Sequence, residues 1–324
     1  MKLHAFCEEF PLKQPFKIAY HTFDAARLIR VDLHDGGLVG RGEGGAHPQL
    51  EPLEEGLARI QALAGAVEAG MSRLELLERM PRGPSRNALD CAMWDLECKR
   101  AGKRVWELEN LPPPRPIATA FTIGIAPLHE MVAEALRLSD YPLLKLKLDS
   151  KSGFEVLRAI AEARPDAEFI IDANEGWRAD QLHDFLGAAA GFPVRLVEQP
   201  LPKQDDERLR GVRSPIPLVA DESFHGLPDV ARLEGLYPVI NIKLDKIGGL
   251  TEGLLAARAA RERGMEVMVG CNNATSLGIA PAYCLGLMCQ HADLDSPPFL
   301  ARDREAALVY RHGNVHRPDP LLWG

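Results

Sequence analysis

Leu144-Lys145-Leu146-Lys147-Leu148 opens a series that runs through the second half of the chain. Phe169-Ile170-Ile171 ends in Asp172, Leu196-Val197 in Glu198, Leu218-Val219-Ala220 in Asp221, and Val239-Ile240-Asn241-Ile242 in Lys243. From 147 through 172, 198 and 221 to 243 the steps are 25, 26, 23 and 22 residues, room each time for one strand, one helix and two loops. Short apolar, β-branched runs of this kind read as buried parallel strands. A charged residue closing each of several successive parallel strands reads as the mouth of a (β/α)8 barrel, where the strand ends share one site. The pattern predicts an enzyme.

Working outward, strands are expected near 117–123, 143–148, 168–172, 195–198, 218–221, 239–243, 266–270 and 291–294, enough to close a barrel. Residues 1 to about 112 lack this rhythm. Segments 16–20 and 28–33 read as strands of an antiparallel meander, and Gly36 to Gly45 as a tight turn with a glycine-rich loop. A helix is expected from Ser85 to Ala101, with Ala88, Leu89, Ala92, Met93 and Leu96 as its apolar stripe and Ser85 as its cap. Pro112-Pro113-Pro114 marks a boundary. The expected division is 1–112, a barrel over 113–300, and a segment 301–324 that packs back on the N-terminal region.

With 324 residues, 46% of them hydrophobic, the chain can bury a large core. Its apolar runs fall short of the roughly 20 residues of a membrane span. A net charge of -8 argues against nucleic acid as a partner. The six cysteines form no CxxC pair, so a reducing cytoplasm is the expected compartment.

Asp172, Glu198 and Asp221 converging in one mouth would repel one another unless a hard cation sat between them, and Mg²⁺ suits an all-oxygen set with positions left for substrate. A salt bridge or a helix cap would explain any one of these acids, but not three at barrel spacing. Lys145 and Lys147 point to the same face of their strand. Two ammonium groups that close disfavour each other's protonation, and burial adds to this, so one of the pair can be a neutral base. Lys243 enters from the opposite side. A cation chelating a carboxylate, with a lysine on each face of the α-carbon, can remove the α-proton, stabilise the enediolate and return a proton to the other face.

Lys145-x-Lys147, Asp172-Ala173-Asn174, Glu198-Gln199-Pro200, Asp221-Glu222-Ser223 and Lys243-Leu244-Asp245-Lys246-Ile247-Gly248-Gly249 resemble the muconate-lactonising subgroup of the enolase superfamily, over essentially the whole chain. A lysine base beside Mg²⁺ is the pattern of that superfamily. The resemblance implies an α/β fold, a modified (β/α)8 TIM-type barrel with an α+β N-terminal capping domain. It implies Asp172, Glu198 and Asp221 as metal ligands, Lys147 and Lys243 as the acid–base pair, Lys145 as the group that tunes Lys147, and Asn174 as a support for the acids. Lys246 is read as an exposed or supporting charge.

Within the subgroup, His291-Ala292-Asp293-Leu294-Asp295 places two aspartates on one face of the eighth strand, suited to a substrate ammonium. This resembles the dipeptide epimerases, in particular L-Ala-D/L-Glu epimerases, and implies inversion at Cα of the C-terminal residue of an L-Ala-X dipeptide, with a role in murein-peptide recycling. Tyr20, His21, Thr122, Cys271 and Asn272 complete the implied substrate pocket. The segment Ile18 to Phe23 lacks the arginine that alanyl-glutamate epimerases place near Tyr20 or His21, and Asn272 and Ala274 stand where methionine and glutamate are frequent. The second residue of the dipeptide therefore stays open. The expected partner is a small-molecule dipeptide, with no nucleic acid and no membrane, and a homo-oligomer is admitted. The alternatives are an N-succinylamino acid racemase or o-succinylbenzoate synthase, a Schiff-base lyase using a barrel lysine, and a vestigial barrel that only binds.

Overall fold

The computed structural model describes residues 1–17, 21–46, 50–148 and 153–324. An antiparallel sheet comes first: β1 (Lys2–Lys17), β2 (Thr22–Asp35) and β3 (Leu38–Gly45), in that order. Against it lie α1 (Leu53–Glu68), α2 (Arg73–Arg79) and α3 (Pro84–Ala101). Of the expected glycine-rich loop only the turn remains, with Gly36 and Gly37 both at positive φ. The rest is strand β3, because its glycines form a packing stripe. A Cβ on Gly40, Gly42 or Gly44 would stand 2.4, 2.0 or 1.9 Å from the carbonyl oxygen of Ala92, Ala88 or Pro84. Two strand residues advance about 6.8 Å and four helical residues about 6 Å, so glycine at every second position tracks every fourth residue of α3.

The second layer is an eight-stranded parallel sheet curled into a nearly closed barrel. Its strands are β5 (Phe121–Ile123), β6 (Leu143–Lys147), β7 (Glu168–Asp172), β8 (Val194–Glu198), β9 (Leu218–Ala220), β10 (Val239–Lys243), β11 (Glu266–Gly270) and β12 (His291–Asp293). The Ala120 N–H donates to the Ala292 carbonyl at 3.0 Å across the remaining gap between β12 and the start of β5. The expected first strand over 117–123 is divided. Its opening piece, β4 (Ile117–Ala118), pairs antiparallel with β14 (Asn314–Val315), itself hairpinned to β13 (Tyr310–Arg311). Residues beyond 301 touch both layers: Asp303 Oδ1 accepts the Ser276 N–H on the barrel side at 3.0 Å, while Trp323 Nε1 donates to Cys91 O at 3.1 Å and Arg304 pairs with Glu8 and Glu43.

The barrel interior shows why the site sits where it does. Ala120, Leu143, Ile170, Leu196, Val219, Val239 and Met268 form one buried apolar layer. Inward positions on a strand recur every second residue. Two residues along, the same strands therefore present Lys145, Asp172, Glu198, Asp221, Asn241 and Gly270 to the axis.

Ser85 is not the cap of α3. Gly83 holds that position and Pro84 starts the helix, and the Ser85 N–H instead donates to Glu51 Oε2 at 2.9 Å. This arrangement recurs. The helices Leu227–Leu233 and Leu250–Glu262 also begin after glycines, and their first N–H groups are accepted by Glu252 and Asp90, at 3.0 and 2.9 Å. Each glycine supplies no capping oxygen, so a remote carboxylate satisfies the free donors and complements the positive helix end.

The glycine stripe carries a direct test. Gly42→Ala drives a methyl into the backbone of α3, with an expected loss of about 1–3 kcal/mol, read as a lower denaturation midpoint. Gly37→Ala meets no neighbour and pays only for its positive φ. Equal losses in the two variants would contradict the packing account.

Candidate active site

The side chains of the second interior layer meet at the C-terminal mouth of the barrel. Asp172 on β7, Glu198 on β8 and Asp221 just past β9 are buried, and one oxygen from each lies within 4.8 Å of the others. Lys145 Nζ reaches into this group, 3.0 Å from Asp172 Oδ2, 2.7 Å from Glu198 Oε2 and 2.8 Å from Asp293 Oδ2. Lys147, two residues further out, holds Asp172 Oδ2 at 2.6 Å. On the other flank Lys243 on β10 holds Asp221 Oδ2 at 2.8 Å. Lys246 is not an exposed charge: its side chain is 9% accessible and caps Asp221 at Oδ1 and at the backbone carbonyl.

Strand order places these groups on two crossing diameters. β6 and β10, which carry Lys147 and Lys243, are four strands apart in a ring of eight, as are β8 and β12, which carry Glu198 and Asp293. The lysines therefore face each other across the mouth. The centre of the acid triad faces the aspartates of β12 at right angles to them.

Of the pair Lys145 and Lys147, Lys145 is the member held in its charged form. Burial works against its charge, but Asp293, Glu198 and Asp172 together hold its pKa well above the usual lysine range. For Lys243 burial is likewise outweighed, chiefly by Asp221. The acids divide. Against burial, Lys147 and Lys145 pull Asp172 down to about 2, and Lys243 and Lys246 take Asp221 well below the carboxylate range. Glu198, in the middle, is pushed up to about 8 by burial and by Asp172.

Asn174 donates its backbone N–H to Asp172 Oδ1 at 3.0 Å and its amide to Glu222 Oε1 at 3.0 Å. Asp295 Oδ2 accepts the Thr122 N–H at 2.6 Å, and its carboxyl is pushed up to about 7 by burial and Asp293. Asp293 keeps Oδ1 buried and, among the described residues, without a hydrogen-bond partner. Thr122, Cys271, Asn272, Asp293 and Asp295 all line a cavity of about 460 Å³ together with the lysines. Burial and the two aspartates raise the Cys271 thiol well above its ordinary value, which keeps it protonated. Tyr20 lies outside the described residues. His21 does not line this cavity: it packs edge-on against Phe23, ring centroids 4.5 Å apart, and faces an adjoining one beside Arg27 and Glu51.

Other residues around the site carry little signal in the sequence. Asn241 donates to Glu198 Oε1 at 2.9 Å, and only glycine at 270 leaves it room, since a Cβ there would stand 2.6 Å from its Oδ1. An amide inside the apolar run Val239–Ile242 was the available signal. Glu222, pushed up to about 7 by burial and by Asp221 and Asp172, also faces the cavity. Asp245 and Glu43 form the seam between the two layers. Asp245 Oδ1 accepts from Gly45 N and Asn87 Nδ2, and Glu43 accepts from Thr275 N, at the start of the helix that follows the Cys271–Asn273 loop.

Glu198 Oε2 is buried and 2.7 Å from the Lys145 ammonium, yet off the direction of a hydrogen bond. With three buried carboxylates and no nitrogen or sulfur donor among them, the set fits a hard divalent cation.

Comparison with known proteins agrees with this geometry. Residues 1–109 match the mandelate racemase/muconate lactonizing enzyme N-terminal domain, and residues 128–320 match the enolase C-terminal domain-like family. The chain is 40% identical to an L-Ala-D/L-Glu epimerase of Escherichia coli over 96% of this chain and 98% of that one. It is 41% identical to an N-acetyl-D-glutamate racemase of Pseudoalteromonas over 78% and 80%. Among solved structures, an enolase family member from Agrobacterium tumefaciens with homology to dipeptide epimerases, holding sodium and L-Ala-L-Glu, superposes with a TM-score of 0.96 at 42% identity, over 100% of this chain and 99% of that one. A dipeptide epimerase from Methylococcus capsulatus, complexed with Mg and L-Arg-D-Lys, gives 0.90 at 29% identity, covering 98% of each. The chain belongs to the mandelate racemase/muconate lactonizing enzyme family of the enolase superfamily. It is an isomerase.

The seam yields a pH prediction. Burial pushes the Asp245 carboxyl from 3.8 up to about 7, against the hydrogen bonds from Asn87 and Gly45. A folded pKa above the unfolded one means its contribution is fully present below about pH 4 and lost as pH rises through 7. Asp245→Asn keeps the accepting oxygen without the charge. Its stability relative to the parent should rise steadily from pH 4 to 7 in denaturant unfolding. A constant offset at every pH would contradict this.

Proposed function

We propose that this chain epimerises a dipeptide, L-Ala-D/L-Glu or a related L-Ala-X, at Cα of the C-terminal residue, with Mg²⁺ as cofactor. The observation that carries this is the pair Lys147 and Lys243, opposed across the mouth on β6 and β10, with the acid triad between them on β7 to β9.

Asp172, Glu198 and Asp221 would hold the Mg²⁺. When bound, the ion supplies positive charge beside the substrate carboxylate as that group gains electron density. The substrate ammonium meets Asp293 and Asp295 at the far end of the other diameter, where Asp293 Oδ1 has no hydrogen-bond partner among the described residues. A dipeptide spanning that diameter lays its C-terminal Cα between the two lysines.

The proton path then follows. One lysine, as the free amine, takes the α-proton and becomes an ammonium. The electron pair of the C–H bond moves into the carboxylate and leaves a planar enediolate. The other lysine, as an ammonium, returns a proton to the opposite face and is left as the amine. Lys145 shares Asp172 Oδ2 with Lys147 and so would fix the position of that lysine at the mouth. Gln199 keeps the frame rigid: its Oε1 accepts from the N–H groups of Asp221 and Ser223, and its amide donates to Leu201 O, Ser223 Oγ and Tyr237 OH.

The likeness to an N-acetyl-D-glutamate racemase supports a second reading, an N-acylamino acid as substrate. Against it, an acylated nitrogen carries no charge to offer Asp295 or the buried Asp293 Oδ1, since Lys145 engages only Asp293 Oδ2.

Proton NMR in D₂O separates these readings. Under the dipeptide reading, the C-terminal α-proton of L-Ala-L-Glu exchanges with Mg²⁺ present and N-acyl amino acids stay inert; the reverse result overturns it. Lys147→Ala and Lys243→Ala should each lower epimerisation by about 10²- to 10⁴-fold, while each retains exchange with only one of L-Ala-L-Glu and L-Ala-D-Glu, and the two variants with opposite ones. Loss of both exchanges in one variant and of neither in the other would point to a single base. EDTA should abolish exchange and added Mg²⁺ restore it.

A further inference from the structure

We infer that Lys203, at the rim of the barrel, reads an acidic side chain on the second residue of the substrate. This rests on the proposed dipeptide reaction and assigns its specificity.

The direction of that side chain follows from the two diameters. The enediolate is planar, with the lysines above and below its plane. The plane therefore contains the β8–β12 diameter and the barrel axis. Of the three in-plane substituents on Cα, the carboxylate is directed to the triad and the nitrogen to β12. The side chain takes the third direction along the axis. Inward, the apolar layer from Leu143 to Met268 closes the way. The side chain therefore points out of the mouth.

Lys145, Lys147, Lys243 and Lys246 all line the cavity, and all have their ammonium groups on Asp172, Glu198, Asp221 or Asp293. His225 is held below the usual imidazole range by burial and by the fields of Lys246 and Lys203. Lys203 lines the same cavity, and no described carboxylate pairs with its ammonium. It is the cation there that the cluster has not already used. Its backbone is pinned: Lys203 N–H donates to Glu175 Oε1 at 2.8 Å, and Pro202 precedes it. The rim opposite offers Phe16, Phe23 and Phe299, which suit the methylenes of a side chain and not its charge. Lys203 thus stands above the triad, where a carboxylate two methylenes from Cα emerges, and the absence of an arginine between residues 18 and 23 is compensated from the barrel side.

The test compares L-Ala-L-Glu with its uncharged counterpart L-Ala-L-Gln in the full-length Mg²⁺-loaded enzyme. In Lys203→Met, the ratio of kcat/KM for Glu over Gln should fall about tenfold, through KM and not kcat, as for loss of a charge-assisted hydrogen bond, and Lys203→Arg should restore it. Lys203→Glu should invert the preference toward L-Ala-L-Lys. Equal losses on Glu and Gln, or an unchanged ratio, overturn the assignment while the dipeptide reaction stands. A parent enzyme inert on every dipeptide that turns over N-acetylglutamate with the same Lys203 dependence overturns the dipeptide reading and supports Lys203. One inert on both overturns the two together.

Discussion

Three carboxylates buried in one layer of a barrel are the constraint on which this molecule turns. Unpaired, each would be strongly disfavoured in the interior. The fold answers by interleaving charge of the opposite sign in the same layer and the one above. Lys145 sits among Asp172, Glu198 and Asp293, with Lys147 and Lys243 on the flanks. The proposed proton transfer would use the same arrangement. Lysines placed to neutralise the outer acids are thereby placed on the two faces of anything held between them, and the period-two register of the strands sets both at once.

The N-terminal layer is joined to the barrel by a second set of buried carboxylates, engaged with backbone. Asp90 meets the start of the helix Leu250–Glu262, Glu43 meets Thr275, and Asp245 reaches back to Gly45. Arg86 fixes the same seam from α3, bonding the Ile247 and Gly248 carbonyls and Glu252. The helices concerned start after glycines because another part of the chain brings the cap. A capping layer attached in this way reaches the rim of the mouth, where Phe16 and Phe23 line the cavity.

The barrel was legible because its signal is repeated. One apolar run ending in one charge is ambiguous, but five at near-constant spacing are not, and four of the observed strands end on the predicted charge while β9 ends one residue before Asp221. The misreadings share a cause: local rules were applied where a distant partner decides. Ser85 looks like a cap until Glu51 arrives from 34 residues away. The glycines of β3 look like a loop until α3 lies against them. His21 was chosen for its charge, but edge-on packing with Phe23 turns it to a neighbouring cavity. Asn241 was hidden because its importance depends on Gly270 in the next strand.

The crossed diameters also separate two requirements that a racemising enzyme must meet together. The lysines have to be indifferent to configuration, so neither can lean on the substrate side chain for its placement. Here they do not: their positions are set by Asp172 and Asp221 within the barrel. Selectivity for the substrate must act on a group lying in the plane between them, which leaves the ammonium end at β12 and the outward axis. Under the proposed reaction the first falls to Asp293 and Asp295, on barrel strand and loop. The second falls to the rim and the capping layer, whose residues can change without disturbing the register that aligns the proton path.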